Sequence, residues 1–271
     1  DRDEARAAGR HGGPDRKRRV MAFNLASLTR TRRLQAPTMV LAAEHKIGKS
    51  TFAASAPSPV GICTEDGLTG IDTNAFPLCK SLADVYEAIG TLLNEPHDFQ
   101  TVFLDSADWT ESLLHEHVCR ANKWESIESP GYGKGYIAAA AEWKNLLDGF
   151  EALRRERGMA VVLISHVKQK RIESPTHEGY DAWVLKLHDR ATALCLEWAD
   201  IVGFAAHRIA LKKTEAGFGQ KETKALKTGE RLLYLEAHPA YPSGTRFGLK
   251  DCELSWDAFA SQLSTEAAEA A

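Results

Sequence analysis

The five cysteines, Cys63, Cys79, Cys119, Cys195 and Cys252, are scattered, and no two form a Cys-x-x-Cys pair. This spacing supplies neither a zinc-ligand set nor a disulfide framework, and it suits a reducing compartment. No stretch approaches the roughly 18 consecutive apolar residues that a membrane helix needs, and nothing resembles a secretory signal, so no membrane partner is expected. The first residue is Asp1 and the first methionine is Met21. Almost nothing apolar precedes Val20, and residues 1–20 read as an upstream extension. Acid and base are also unevenly spread. Residues 1–33 hold ten Lys and Arg against four Asp and Glu, which leaves 24 bases against 33 acids for the remainder. Residues 1–35 are therefore expected to be a basic, disordered extension, with a nucleic-acid-binding arm as the sharper alternative. The acidic remainder does not favour broad nucleic-acid affinity.

What is present, at 44% hydrophobic residues over 271, is enough to bury a sizeable core. From Thr38 onward short apolar runs alternate with helical stretches. Strands are expected at 38–43 (TMVLAA), 59–66, 101–105 (TVFLD), 159–167 and 201–208, with later ones near 231–238 and 245–250. Helices are expected at 50–56, 82–95, 107–122, 136–156 and 186–200. In the second of these, Leu82, Val85, Ile89 and Leu92 fall on one face. The Lys-, Gly- and Thr-rich segment 212–230 reads as a hairpin arm. Such alternation predicts an α/β fold: a mostly parallel twisted sheet flanked by helices, with antiparallel edge strands near the C-terminus. The folded domain is expected over 36–262, followed by a disordered tail at 263–271.

Residues 43–51 read AEHKIGKST. The pattern GxxxxGK[ST] asks for glycine at the position of Ala43. The context is nevertheless that of a phosphate-binding loop, directly after a buried strand and directly before a helix. Backbone N–H groups at such a helix start favour an anion, so Glu44, His45, Lys46, Ile47, Gly48, Lys49, Ser50 and Thr51 form the expected ATP-binding loop. Gly48 admits the phosphates, Lys49 reaches the β- and γ-phosphates, and Ser50 offers its hydroxyl to Mg²⁺. An added methyl at Ala43 is tolerable if φ stays negative there, which makes this a working site with its hydrolysis rate in question.

Three further elements surround the loop. Asp105 ends TVFLD and can hold Mg²⁺ directly or through water, although it could equally cap the next helix. Glu65, at the end of the second strand, can orient and deprotonate an attacking water, with Asp66 as its competitor and a turn-forming role open for both. His166 follows a long apolar strand and is placed to sense a γ-phosphate, where a plain strand terminus is the alternative.

With these in order, the chain resembles the phage and prophage RecA-like ATP-binding proteins, including the Sak-type single-strand annealing and recombination ATPases related to RadA. The match is carried by HKIGKSTFAASAP (45–57), TEDGL (64–68), TVFLDSADW (101–109), GYGKGY (131–136), VVLISHV (161–167), YDAWVLKLHDRA (180–191) and EWADIVGFA (197–205). The resemblance implies a RecA-like P-loop ATPase with ATP and Mg²⁺, in which Lys49, Glu65 and His166 are catalytic and Ser50 and Asp105 hold the metal. RadA-like proteins carry Lys-Asn-Arg-Phe-Gly near the C-terminus. Here the stretch is Gly244-Thr245-Arg246-Phe247-Gly248, which keeps the arginine and loses the lysine. Arg246 is thus a candidate finger toward a neighbouring subunit. The resemblance further implies single-stranded DNA, a homo-oligomer and a phage single-strand-binding protein or recombinase as partners, in a bacterial host's cytoplasm. It also implies a mobile DNA loop after His166, where Lys168, Lys170 and Arg171 offer phosphate contacts and Tyr180 and Trp183 stacking surfaces. Lys134, between glycines and tyrosines, is a second DNA candidate. Two other functions stay open, a non-hydrolysing nucleotide switch and a small-molecule P-loop kinase.

Overall fold

A computed structural model describes residues 35–175, 178–216 and 220–270. The extension expected at 1–35 lies outside the described residues except at its last position.

Six strands pair in parallel: β1 (Thr38–Ala43), β2 (Pro59–Cys63), β3 (Asn74–Ala75), β4 (Thr101–Asp105), β5 (Ala160–Ile172) and β7 (Ile201–Ala216). The apolar runs in β1, β2, β4 and the first half of β5 are buried on both faces, as a sheet covered by helices on both sides requires, whereas the two residues of β3 at the edge are exposed. Between and after them come β6 (Tyr180–Leu185), β8 (Gln220–Tyr234), β9 (Gly244–Thr245) and β10 (Cys252–Glu253). The order across the sheet is β10-β8-β7-β1-β5-β4-β2-β3, with β6 paired to β5 and β9 to β7. β6, β8, β9 and β10 pair antiparallel. A mostly parallel sheet with antiparallel edges is the architecture the alternating runs predict.

Side chains along the central strands alternate between two cores. Val40, Ala42, Val102, Leu104, Val161 and Leu163 face one cluster, which is closed by α2 (Leu82–Asn94), α3 (Ala107–Asn122), α4 (Lys134–Arg157) and α5 (Asp189–Trp198). Met39, Leu41, Phe103, Val162 and Ile164 face the other, closed by α1 (Lys49–Ala54) and α6 (Trp256–Ala270). In α2 the start is fixed by a capping box, in which the Ser81 hydroxyl accepts from the Asp84 N–H while the Asp84 carboxylate accepts from the Ser81 N–H. Its buried face carries Leu82, Val85, Ile89 and Leu92, at the spacing read from the sequence. In α4, Gly135 is required by contact rather than flexibility, since a Cβ there would stand 1.8 Å from the Ile127 carbonyl oxygen.

Four expectations change. The segment after His166 is not a loop, because β5 continues to Ile172 and pairs with β6 as a hairpin. The strand expected at 245–250 shrinks to β9, whose two residues pair with Ile201 and Val202. The arm at 212–230 is a hairpin as read but is the outer part of a longer one, since β7 and β8 pair from Phe204 with Tyr234, through a register shift between His207 and Ile209, out to Ala216 with Gln220. At the C-terminus α6 runs on to Ala270, past the boundary placed at 262, and Leu263 packs against the second core. Helical periodicity in an Ala- and Glu-rich end is weak, which hides this turn from the sequence. No helix of the described residues is long and apolar enough to cross a membrane.

Candidate nucleotide site

The chain leaves β1 toward β2 on one side and returns to β7 on the other, so β1 ends in a crevice at the carboxyl edge of the sheet. This is where open α/β sheets bind ligands. The 44–48 turn closes there. Ala43 is fully buried within β1, opposite His166 and Ala205. The turn takes up its left-handed backbone at Lys46 (φ 60°) and Gly48 (φ 109°), not at Ala43. The glycine missing from the motif is therefore missing from a strand position that any residue can adopt. No side chain caps the start of α1, so its first N–H groups, which lack intrahelical partners, remain available to an anion.

A cleft of about 450 Å³ opens over this turn, and Lys49, Ser50, Glu65, Asp105 and His166 line it together. The Lys49 ammonium is folded onto the loop, donating to the carbonyls of Glu44 (2.8 Å) and Ala43 (3.4 Å). Burial, partly offset by Asp105 and Glu65, pulls its pKa down. The Ser50 hydroxyl donates to Asp105 Oδ2 at 2.5 Å, so the two expected metal ligands already meet. Thr64 and Glu65 donate their backbone N–H groups to the Asp105 carbonyl, which holds the ends of β2 and β4 side by side. Burial, with help from Asp105, pushes Glu65 up against the lowering effect of His166. Asp66 is exposed and does not line the cleft. This donor set fits a magnesium nucleotide: uncapped amides and a buried cation for phosphate oxygens, and a hydroxyl with a carboxylate for a hard divalent ion.

His166 carries the largest difference from the sequence reading. It is not a strand end. Its backbone pairs with Ala43 in the main sheet, and the next residue, Val167, already pairs with Leu185 in the hairpin. Asp108, in the first turn of α3, binds it twice: Oδ1 accepts from the His166 backbone N–H at 3.1 Å, and both carboxylate oxygens lie 3.1 Å from Nδ1. Burial opposes ionisation of Asp108, but the His166 ring and backbone bonds outweigh it and hold the carboxyl at about 2. Lys186, which follows β6, brings its ammonium to 3.7 Å from the same carboxylate. On the other side the His45 ring lies 4.2 Å from that of His166, and His166 first, then burial, lowers the His45 pKa. Asp108 escaped the sequence reading, although its place three residues after the strand acid was a usable signal.

The remaining predicted residues lie outside this cleft. Arg246 is at the opposite pole, where its guanidinium donates to Asp200 Oδ1 (2.9 Å) and to the Glu197 carbonyl. Lys168 donates to the Leu187 carbonyl, Lys170 is paired with Asp189 at 2.7 Å, and Arg171 approaches Asp181 and Glu173. Lys134 is exposed at the start of α4, close in sequence to a fully exposed Tyr132. Tyr180 opens β6 opposite Ile172. Trp183 lines a second cleft, of about 590 Å³, with Phe204, Tyr234, Tyr241 and His207, and Glu44, His45 and Ile47 of the loop form its near wall. Phe204 and Tyr241 are stacked there at 4.6 Å. Arg231, passed over in the sequence, donates to the Ile47 carbonyl at 3.1 Å.

A family model for an AAA domain matches residues 35–247. No curated protein matches the chain in sequence. Among solved structures, the crystal structure of the RadB recombinase is similar at 14% identity with a TM-score of 0.42, covering 78% of this chain and 84% of that chain. The family match spans the loop, the strand acid and the sheet that joins them, and the chain belongs to the AAA-domain family.

Proposed function

We propose that the protein hydrolyses ATP at the 44–51 loop and uses the cycle to act on single-stranded DNA, in recombination or annealing. The observation that carries this reading is the position of His166. Its ring lines the phosphate cleft, and its backbone is the joint at which the main sheet becomes the β5–β6 hairpin. A group that meets a γ-phosphate there is one residue from the start of the β5–β6 ladder.

In this reading Lys49 turns from the loop carbonyls to the β- and γ-phosphates. Ser50 and Asp105 hold Mg²⁺, whose charge offsets that of the phosphates. Glu65 accepts a proton from the attacking water, a role that its upward-shifted pKa suits. The hairpin presents exposed Lys168, Lys170 and Arg171, and the aromatic cleft beside it offers rings on which unstacked bases can lie. Because Lys170 is already paired with Asp189, DNA phosphates must displace an internal partner there, and each phosphate that is neutralised adds to the salt dependence of binding. Assembly into a homo-oligomer belongs to the same reading. A finger role for Arg246 requires it to release Asp200.

The test is ATP hydrolysis with and without single-stranded DNA for wild type, Lys49→Ala and Glu65→Gln. Stimulation by DNA that is lost in Lys49→Ala, with a fall of roughly 10²–10⁴ in Glu65→Gln while ATP still binds, is the expected result. Binding without phosphate release in the wild type would instead favour the nucleotide switch, and phosphate transfer to a small acceptor the kinase.

A further inference from the structure

The phosphate cleft has a continuation that the sequence motifs do not cover. A smaller cleft of about 170 Å³ lies between α1 and α6, lined by Ser55, Leu254, Trp256 and Asp257 among others. It shares Gly48 and Thr51 with the phosphate cleft. Arg231, from β8, stands at this junction. Its guanidinium occupies the space that a Gly48 side chain would fill, with Nη1 2.5 Å from the ideal Cβ position. One of its donors is spent on the Ile47 carbonyl, and a guanidinium has five.

We propose that this cleft takes the nucleoside end of the nucleotide and that Arg231 contacts its α-phosphate from within the same chain. The proposal rests on the nucleotide reading above and adds where the rest of the ligand lies. With the terminal phosphates held between Lys49, Ser50 and Asp105, the ligand's other end passes Gly48 and Thr51, the residues common to both clefts. There the chemistry changes from charged to mixed. Trp256 and Leu254 are buried apolar walls for a base. The Trp256 indole N–H is a buried donor without an acceptor among the described residues. Asp257 and Ser255 at the rim suit ribose hydroxyls. Arg231 lies where the first phosphate after the ribose falls, and a guanidinium binds such an oxyanion pair with a planar fork.

The alternative is that Arg231 merely braces the loop through Ile47. Calorimetric titration of ATP, ADP and inorganic pyrophosphate, with Mg²⁺, separates the two for wild type, Arg231→Ala, Arg231→Lys and Ser55→Trp. Ser55 is exposed at the end of α1, so the indole fills the small cleft without entering a core. The expected result is a loss of roughly ten- to a hundred-fold in ATP and ADP affinity for Arg231→Ala, partly restored by lysine. Ser55→Trp should lose both nucleotides as well, and pyrophosphate should bind every variant as it binds wild type. An equal loss of pyrophosphate in Arg231→Ala would overturn the α-phosphate contact. Unchanged ATP affinity in Ser55→Trp would overturn the nucleoside cleft. A wild type that binds none of the three ligands would remove the nucleotide reading itself.

Discussion

Single residues decide whether the loop works, and Ala43 is the first of them. Its place inside β1, paired on both sides, means that glycine would gain nothing there and would add chain entropy to the unfolded state. Ala43→Gly should leave hydrolysis within about two-fold and lower stability by roughly 0.5–1 kcal/mol, as read by steady-state kinetics and thermal melts. Asp108 makes the opposite case, a residue outside the loop that holds His166 through its backbone N–H and its ring. Its folded pKa lies near 2, below the ordinary 3.8. The stability it contributes is therefore complete above pH 4 and is lost as pH falls through about 2. Asp108→Asn should flatten that part of an acid-unfolding curve, and at neutral pH it should weaken the response of hydrolysis to DNA more than nucleotide binding itself.

Among the elements, β1 and β7 are tied at their starts by a charged knot far from the loop. Asp200 is buried and accepts from Arg154 at 2.6 Å and Arg246 at 2.9 Å, and its backbone N–H donates to the Thr38 hydroxyl. Asp200→Ala takes from Arg154 one of three acceptors, leaving it the Glu151 carboxylate and the Ala36 carbonyl, and the loss of these charge-assisted bonds should cost about 2 kcal/mol in denaturant unfolding. Arg246 is 60% exposed, so Arg246→Ala should cost no more than about 1 kcal/mol and leave ATP affinity unchanged. That knot also marks where sequence reading stops. Strands such as 38–43 and 101–105 were legible to the residue, because burial on both faces writes an unbroken apolar run. The hairpin after His166 was not. KQKRI carries no apolar run, since its residues face solvent and are held by the β6 ladder, and a pairing partner cannot be seen in one strand alone. Arg231 was illegible for a related reason: it stands 183 residues from Gly48, and only the antiparallel return of β8 brings them together.

For the whole molecule, the arrangement places one short loop against three cavities. Residues 44–48 help wall the phosphate cleft, the aromatic cleft and the small cleft by α6, and His45 belongs to the first two at once. Two occupants that share a wall cannot bind independently if that wall has more than one setting. On the proposed function, whatever factor ATP applies to DNA affinity DNA must apply to ATP affinity, because both describe one coupling free energy. Measuring each dissociation constant with the other ligand saturating should give matching ratios, and both ratios should move toward one in His45→Ala. The strain at Lys46, a non-glycine residue held in the left-handed region in that same loop, then acquires a meaning beyond the turn: it is stored energy where a second conformation of residues 44–48 would be felt in all three clefts they help to wall.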